Sequence, residues 1–154
     1  MSFEEDCILV DDSMLVCDQF EKEKAIHKLY INIAKEFASQ SKDPKFQVGA
    51  VIVTPEGILY PGYNGDEKGG TNKRDSLEHG KSGFIHAEEN CIIKFNPVIH
   101  KGSVLYATHN PCRMCARRIV NTQAIWAVYY AIEYKEDMSG VEILRARGIR
   151  CEKV

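Results

Sequence analysis

No apolar run in the 154 residues approaches the roughly 18 needed to cross a bilayer, so no segment reads as a membrane span. The stretch from Met1 to Asp12 lacks the basic and apolar blocks of a secretory leader; it is acidic, with Glu4, Glu5, Asp6, Asp11 and Asp12 and no base, and the expected compartment is the cytoplasm. A basic excess is missing too. Lys plus Arg total 20 against 22 for Asp plus Glu, a formal net charge of −2. Domains that grip a nucleic-acid backbone carry surplus cations, so nucleic acid is not the expected partner, whereas a small anionic ligand needs only a few placed cations. There is no internal repeat and no low-complexity segment.

What is present is 44% hydrophobic and 27% charged, ordinary for one globular domain with its own core. Such a core needs no disulfide staples. The six cysteines, at positions 7, 17, 91, 112, 115 and 151, are also too unevenly spaced for a disulfide framework. One tight pair stands out, Cys112-Arg113-Met114-Cys115. A C-x-x-C pair in a cytosolic chain is a metal half-site or a redox dithiol, and spacing alone leaves both open.

Periodicity supplies the elements. Ala25, Ile26, Leu29, Tyr30, Ile33, Ala34 and Phe37 fall three or four apart and predict a helix over Glu21 to Ser41. Val48 to Val53 is a continuous apolar run suited to a buried strand, and Pro55-Glu56-Gly57 turns it into a hairpin partner beginning at Ile58. The polar, glycine-containing stretch from Asp66 to Gly83 is long for a loop within a compact domain, a length usually tied to function. A helix over His86 to Phe95 and a strand around Val104 to Ala107 follow. Next come a helix with Pro111 in its first turn, a strand over Ile125 to Ile132, a helix from Ser139 as cap to Arg147, and an edge strand over Ile149 to Val154. After the hairpin, helix and strand alternate. That order predicts a three-layer α/β/α fold, an about five-stranded, mixed but largely parallel sheet with helices on both faces. The expected organisation is an acidic extension over 1–20 and one domain over 21–154.

Two segments carry chemistry together: His86-Ala87-Glu88 and Pro111-Cys112-Arg113-Met114-Cys115, each at an expected helix N-terminus. One imidazole and two thiolates suit Zn²⁺, and three protein ligands leave a fourth tetrahedral position open, as in catalytic zinc sites. The positive end of each helix favours the thiolate form. Glu88, two residues from His86, reaches the open position without ligating the metal. H-x-E with P-C-x-x-C is the signature of zinc nucleobase deaminases.

On these residues the chain resembles the zinc-dependent cytidine/deoxycytidylate deaminase superfamily, most closely its deoxycytidylate (dCMP) branch. The resemblance extends through Ser41 to Ala50, Gly62-Tyr63-Asn64-Gly65, His86-Ala87-Glu88-Glu89-Asn90, Leu105 to Cys115 and Val141 to Ile149. It implies one catalytic zinc held by His86, Cys112 and Cys115, with Glu88 as the proton carrier in hydrolytic conversion of dCMP to dUMP and ammonia. It implies substrate contacts from Asn64 and the backbone at Ala87, and phosphate binding by Lys45. Tyr130 and Tyr134, at and beyond the end of the aromatic strand, are both candidates to stack on the base, Tyr130 being preferred on the resemblance, and Arg113 and Lys135 are further candidates for the phosphate by their positions. A homo-oligomer, dimer or hexamer, and dCTP and dTTP effectors also belong to the resemblance; acids beside a bound triphosphate would call for a bridging cation such as Mg²⁺. Asp66-Glu67-Lys68-Gly69-Gly70 departs from it by placing acids in the effector loop, as does Ala131 after the strand tyrosine. His79 with Cys17 or Cys91 suggests a second zinc, although buried free thiols account for the cysteines more simply. Competing readings are a zinc deaminase for guanine or tRNA adenosine, and a zinc-stabilised binding module without turnover.

Overall fold

The computed structural model describes residues 12–154, with side chains from Val16 onward. Cys7 and most of the acidic extension lie outside the described residues. The elements are α1 (Asp12–Ala38), β1 (Gly49–Val53), β2 (Leu59–Tyr63), α2 (Ala87–Lys94), β3 (Ser103–His109), α3 (Arg113–Thr122), β4 (Ile125–Ile132), α4 (Ser139–Ala146) and β5 (Arg150–Lys153). Among the described residues no helix is long and apolar enough to cross a membrane.

The strands form one sheet in the order β2-β1-β3-β4-β5. β1 is antiparallel to both β2 and β3, while β3, β4 and β5 pair in parallel. Four strands therefore run one way and β1 alone runs against them. The helix–strand alternation holds because α2 carries the chain from β2 over β1 to β3. Helices cover both faces, α1 on one and α2, α3 and α4 on the other. Ala50, Ile52, Leu105, Val128, Ile119 and Leu144 form the core under the three helices, and Val51, Tyr106, Ala127 and Tyr129 meet Ile31 and Ala34 of α1 on the opposite side.

α1 differs from its expected form in extent and facing. It already includes Asp12, well before the expected Glu21, since no glycine or proline interrupts the intervening residues. It ends at Ala38, where the Ser39 hydroxyl donates to the Glu36 carbonyl at 2.6 Å. The line it buries is Ile31, Ala34 and Ala38, leaving Ile26 and Leu29 about half exposed. Close approach explains this choice. A Cβ on Gly49 would overlap the Ala34 carbonyl oxygen, so the small face of the helix lies against β1 and the bulkier stripe is turned aside.

Two caps also differ from expectation. Cys112, with extended backbone (φ −72°, ψ 169°), is the N-cap of α3, so Pro111 precedes the helix instead of lying in its first turn. Ser139 is the first residue of α4; Asp137 Oδ1 accepts from the Ser139 N–H at 3.1 Å and from its hydroxyl at 2.5 Å.

Candidate active site

The N-termini of α2 and α3 converge beside the C-terminal ends of β3 and β4, where open α/β sheets place ligands. His86 caps α2, and its backbone N–H is accepted by the Glu89 side chain at 3.0 Å. Glu89 also pairs with Arg118 of α3, fastening the two helices together. On α3 the Cys112 sulfur accepts the Cys115 N–H at 3.5 Å. His86 Nδ1 lies 3.4 Å from Cys112 Sγ and 3.3 Å from Cys115 Sγ. Among the described residues these three form the single group whose ligand atoms all lie within 4.8 Å of one another.

The spacing suits zinc. With Zn–S of about 2.3 Å and Zn–N of about 2.0 Å, a tetrahedral ion separates its nitrogen and sulfur ligands by about 3.5 Å. The observed nitrogen–sulfur separations match that edge. Hydrogen bonds from Cys115 and His86 pull the Cys112 thiol down to about 4, while the same contact with Cys112 and burial push Cys115 up. Against Cys112 and near the Glu88 charge, His86 is held up at about 9. One thiolate facing a cationic imidazole is thus the charge pattern of the set, and a divalent cation can replace that proton.

Glu88 is 4% exposed, and burial raises its carboxyl to about 7. Its Oε2 lies 3.7 Å from Cys115 Sγ, so the carboxyl sits beside the three donors without being one of them. Gly62 permits this seat for α2, because a Cβ there would strike the Ala87 carbonyl.

Glu88 opens into a cavity of about 460 Å³, within the range of small-molecule sites. Asn64, Ala87, His86 and Cys112 line it, as expected from the sequence. Asn64 is also structural: its amide donates to Phe46 O at 2.8 Å and Asp43 Oδ2 at 3.2 Å, and its Oδ1 accepts from Val48 N–H at 2.8 Å. The remaining preferred contacts fall elsewhere. Tyr130 is 1% exposed in the core under the three helices, its hydroxyl 3.3 Å from Glu133, and the ring lining the cavity is Tyr134. Lys45 donates to the Leu77 carbonyl, and Arg113 is exposed on α3; neither lines the cavity.

The loop between β2 and α2 completes the opposite wall. Arg74 pairs with Asp43, with side chains 5% and 1% exposed, and donates to the Ser76 carbonyl at 2.9 Å. Hydrogen bonds from the Lys45 N–H, Arg74 and the Phe46 N–H outweigh burial and lower the Asp43 carboxyl. His79 stacks on Tyr134, with centroids 3.9 Å apart and planes 16° from parallel, and meets Phe46 edge-on. Asn110 places Tyr134, since its Oδ1 accepts the Tyr134 N–H at 2.5 Å. His79 is therefore not joined to Cys17 or Cys91; Cys91 is a buried free thiol as expected, whereas Cys17 is exposed on α1. Asp43, Arg74, His109 and Asn110 escaped the sequence reading, although Asp43, His109 and Asn110 lie within the segments that carry the resemblance.

Over residues 24–132 the chain matches the model of the family described as the cytidine and deoxycytidylate deaminase zinc-binding region. It belongs to that family of zinc-binding deaminase domains. Deoxycytidylate deaminase from Pongo abelii is 30% identical over 145 residues, covering 81% of each chain. ComE operon protein 2 of Bacillus subtilis is 33% identical over 123 residues, covering 76% of this chain and 65% of that protein. A dCMP deaminase from the cyanophage S-TIM5, solved with dCMP and dUMP, superposes with a TM-score of 0.73 at 30% identity, covering 84% of this chain and 97% of that one. Several of the curated relatives are longer; the match to the first four spans 56–65% of their length.

Proposed function

We propose that this protein is a zinc-dependent hydrolase that converts dCMP to dUMP and ammonia. The observation that carries this reading is the buried Glu88 carboxyl beside the His86, Cys112 and Cys115 donors at the floor of the cavity. The likeness to dCMP deaminases supports the choice of base and phosphate.

His86, Cys112 and Cys115 would hold the ion, which when bound supplies the Lewis acidity that makes water nucleophilic at neutral pH. Glu88 takes a proton from the water attacking C4 and delivers it to N3 of the pyrimidine. It then takes the proton of the new C4 hydroxyl, as the carbonyl forms, and delivers it to the amino group leaving as ammonia. A carboxyl raised by burial to about 7 is suited to both directions of transfer. Ala87, fully buried at the start of α2, offers its backbone to the polar edge of the base. The Asn64 oxygen keeps a free lone pair toward the sugar, while both its amide hydrogens serve the fold.

Homo-oligomerisation is part of the same reading, supported by Leu59 and Tyr63, exposed apolar residues on edge strand β2. The test is ammonia release from dCMP, deoxycytidine, guanine and adenosine in RNA, each with and without a zinc chelator. Chelator-sensitive turnover of dCMP well above deoxycytidine is expected. Turnover of guanine or RNA instead would keep the zinc chemistry and replace the substrate. Bound zinc with no turnover on any of them would favour a binding module.

A further inference from the structure

A nucleotide substrate brings a phosphate, and the cations expected to meet it are committed elsewhere or stand outside the cavity. Lys45 donates to Leu77, Arg113 is exposed on α3, and Arg74, which does line the cavity, is spent on Asp43 and loop carbonyls. Two imidazoles on the cavity wall remain, His79 and His109. Resting on the reading above, we propose that His79 and His109 bind the substrate's 5′-phosphate at the mouth of the cavity.

Depth sets the direction. Glu88 is 4% exposed at the floor, whereas His79 is exposed, so a ligand with its base at Glu88 leaves its charged, hydrated end near His79. Donor geometry agrees. Thr108 Oγ1 accepts the Gly49 N–H at 3.1 Å and lies 3.0 Å from His109 Nδ1. The Thr108 hydroxyl can donate its own hydrogen to Nδ1, and in that tautomer the neutral ring's proton sits on Nε2, a nitrogen with no partner among the described residues. The stack on Tyr134 fixes the His79 ring in position. The Ser82 hydroxyl on the same wall accepts from the Phe84 N–H at 3.2 Å and retains its own hydrogen as a third donor.

The surrounding charges set the demand on the rings. Asp43 is neutralised by Arg74, whereas Asp137, hydrogen-bonded by Ser139, and Glu136 near Tyr134 keep their negative charge, so an anion at the mouth depends on the imidazole donors; His86, Glu88 and Cys112 lie at the floor. Burial and the His79 charge hold His109 below the ordinary imidazole value. A phosphate between the rings reverses that repulsion and favours the protonated form of His109. Recognition by imidazoles weakens as pH rises past the histidine range, whereas a lysine-bound phosphate holds to about pH 10.

The experiment measures kcat and KM of the zinc-loaded full-length protein for dCMP and deoxycytidine across that range, with His79→Ala, His109→Ala and His109→Gln. Each alanine variant should lower the dCMP-to-deoxycytidine ratio of kcat/KM about tenfold or more, chiefly through KM. His109→Gln, which keeps an N–H donor, should recover part of the ratio and flatten its pH dependence. Equal losses on both substrates, or an unchanged ratio, overturn the assignment. Calorimetry of dUMP against deoxyuridine adds a readout free of turnover, with proton uptake expected for dUMP alone; equal uptake by both overturns the assignment. A wild type that favours dCMP while the variants keep that preference rejects the two histidines alone. A wild type indifferent to the phosphate rejects the substrate reading itself.

Discussion

The floor and the mouth of the cavity are built on different principles. At the floor, four chemical groups come from two short motifs, each at the start of a helix, and the Glu89–Arg118 pair locks those helices together. At the mouth, partners are far apart in the chain: Asp43 meets Arg74 across 31 residues, and His79 stacks on Tyr134 from the loop before α2 to the loop after β4. Chemistry that must not move is encoded locally, and the wall that shapes the ligand is assembled by tertiary contact. The first depends on helix starts and the second on one buried ion pair.

Four perturbations sharpen this contrast. The largest effect is expected at the floor: Glu88→Gln should lower turnover by about 10²–10⁴-fold while metal analysis still finds stoichiometric zinc. Loss of zinc in that variant would make Glu88 a ligand and merge two roles that the geometry separates. At the mouth, Arg74→Met strands the Asp43 carboxylate and should cost about 3–5 kcal/mol in denaturant unfolding. A cost below about 1 kcal/mol would mean that the pair behaves like a surface salt bridge.

Gly140→Ala probes the support beneath the floor. A Cβ there would overlap the Pro111 carbonyl oxygen and press on the Cys112 backbone, costing about 1–3 kcal/mol. Zinc affinity should fall with stability, because the displaced residue is a proposed ligand; unchanged affinity would show that α3 absorbs the shift. The smallest effect is that of pH on the mouth. Asp43 is lowered in the fold, so its contribution is complete above the unfolded carboxylate value near 4 and is lost as pH falls through the lower folded value. Acid unfolding of wild type and Asp43→Asn should therefore converge at the acidic end. Curves that stay parallel down to that end would remove Asp43 from the acid response.

This contrast also explains how much could be read from the chain. Strand and helix order and the hairpin followed from periodicity and short spacings, which survive whatever the tertiary context, whereas the gathering of His86 with Cys112 and Cys115 was legible only because H-x-E together with P-C-x-x-C is a known zinc-deaminase signature. The facing of α1 did not follow, because several apolar faces were available and the bare Gly49 backbone selected Ala34 and Ala38. Tyr130 looked suited to the ligand because it nears a strand end, yet the pleat turns it into the core, and Asn110 holds Tyr134 at the cavity wall instead. Arg74 gave no signal, since one arginine in a polar loop looks solvated until the fold places it against Asp43.

The lone reversed strand has a consequence for assembly. β1 is the hydrogen-bonding bridge between β2 and β3, and the chain reaches β3 only after α2 has passed over that bridge. The imidazole half-site begins α2 and the thiol half-site follows β3, so neither faces the other until β3 has docked on the finished hairpin. Metal capture is thereby coupled to completion of the sheet, as one equilibrium. With the proposed ligands, chelation should loosen the whole domain, and a fault in the hairpin, far along the chain from any of them, should be felt as a weakened hold on the ion.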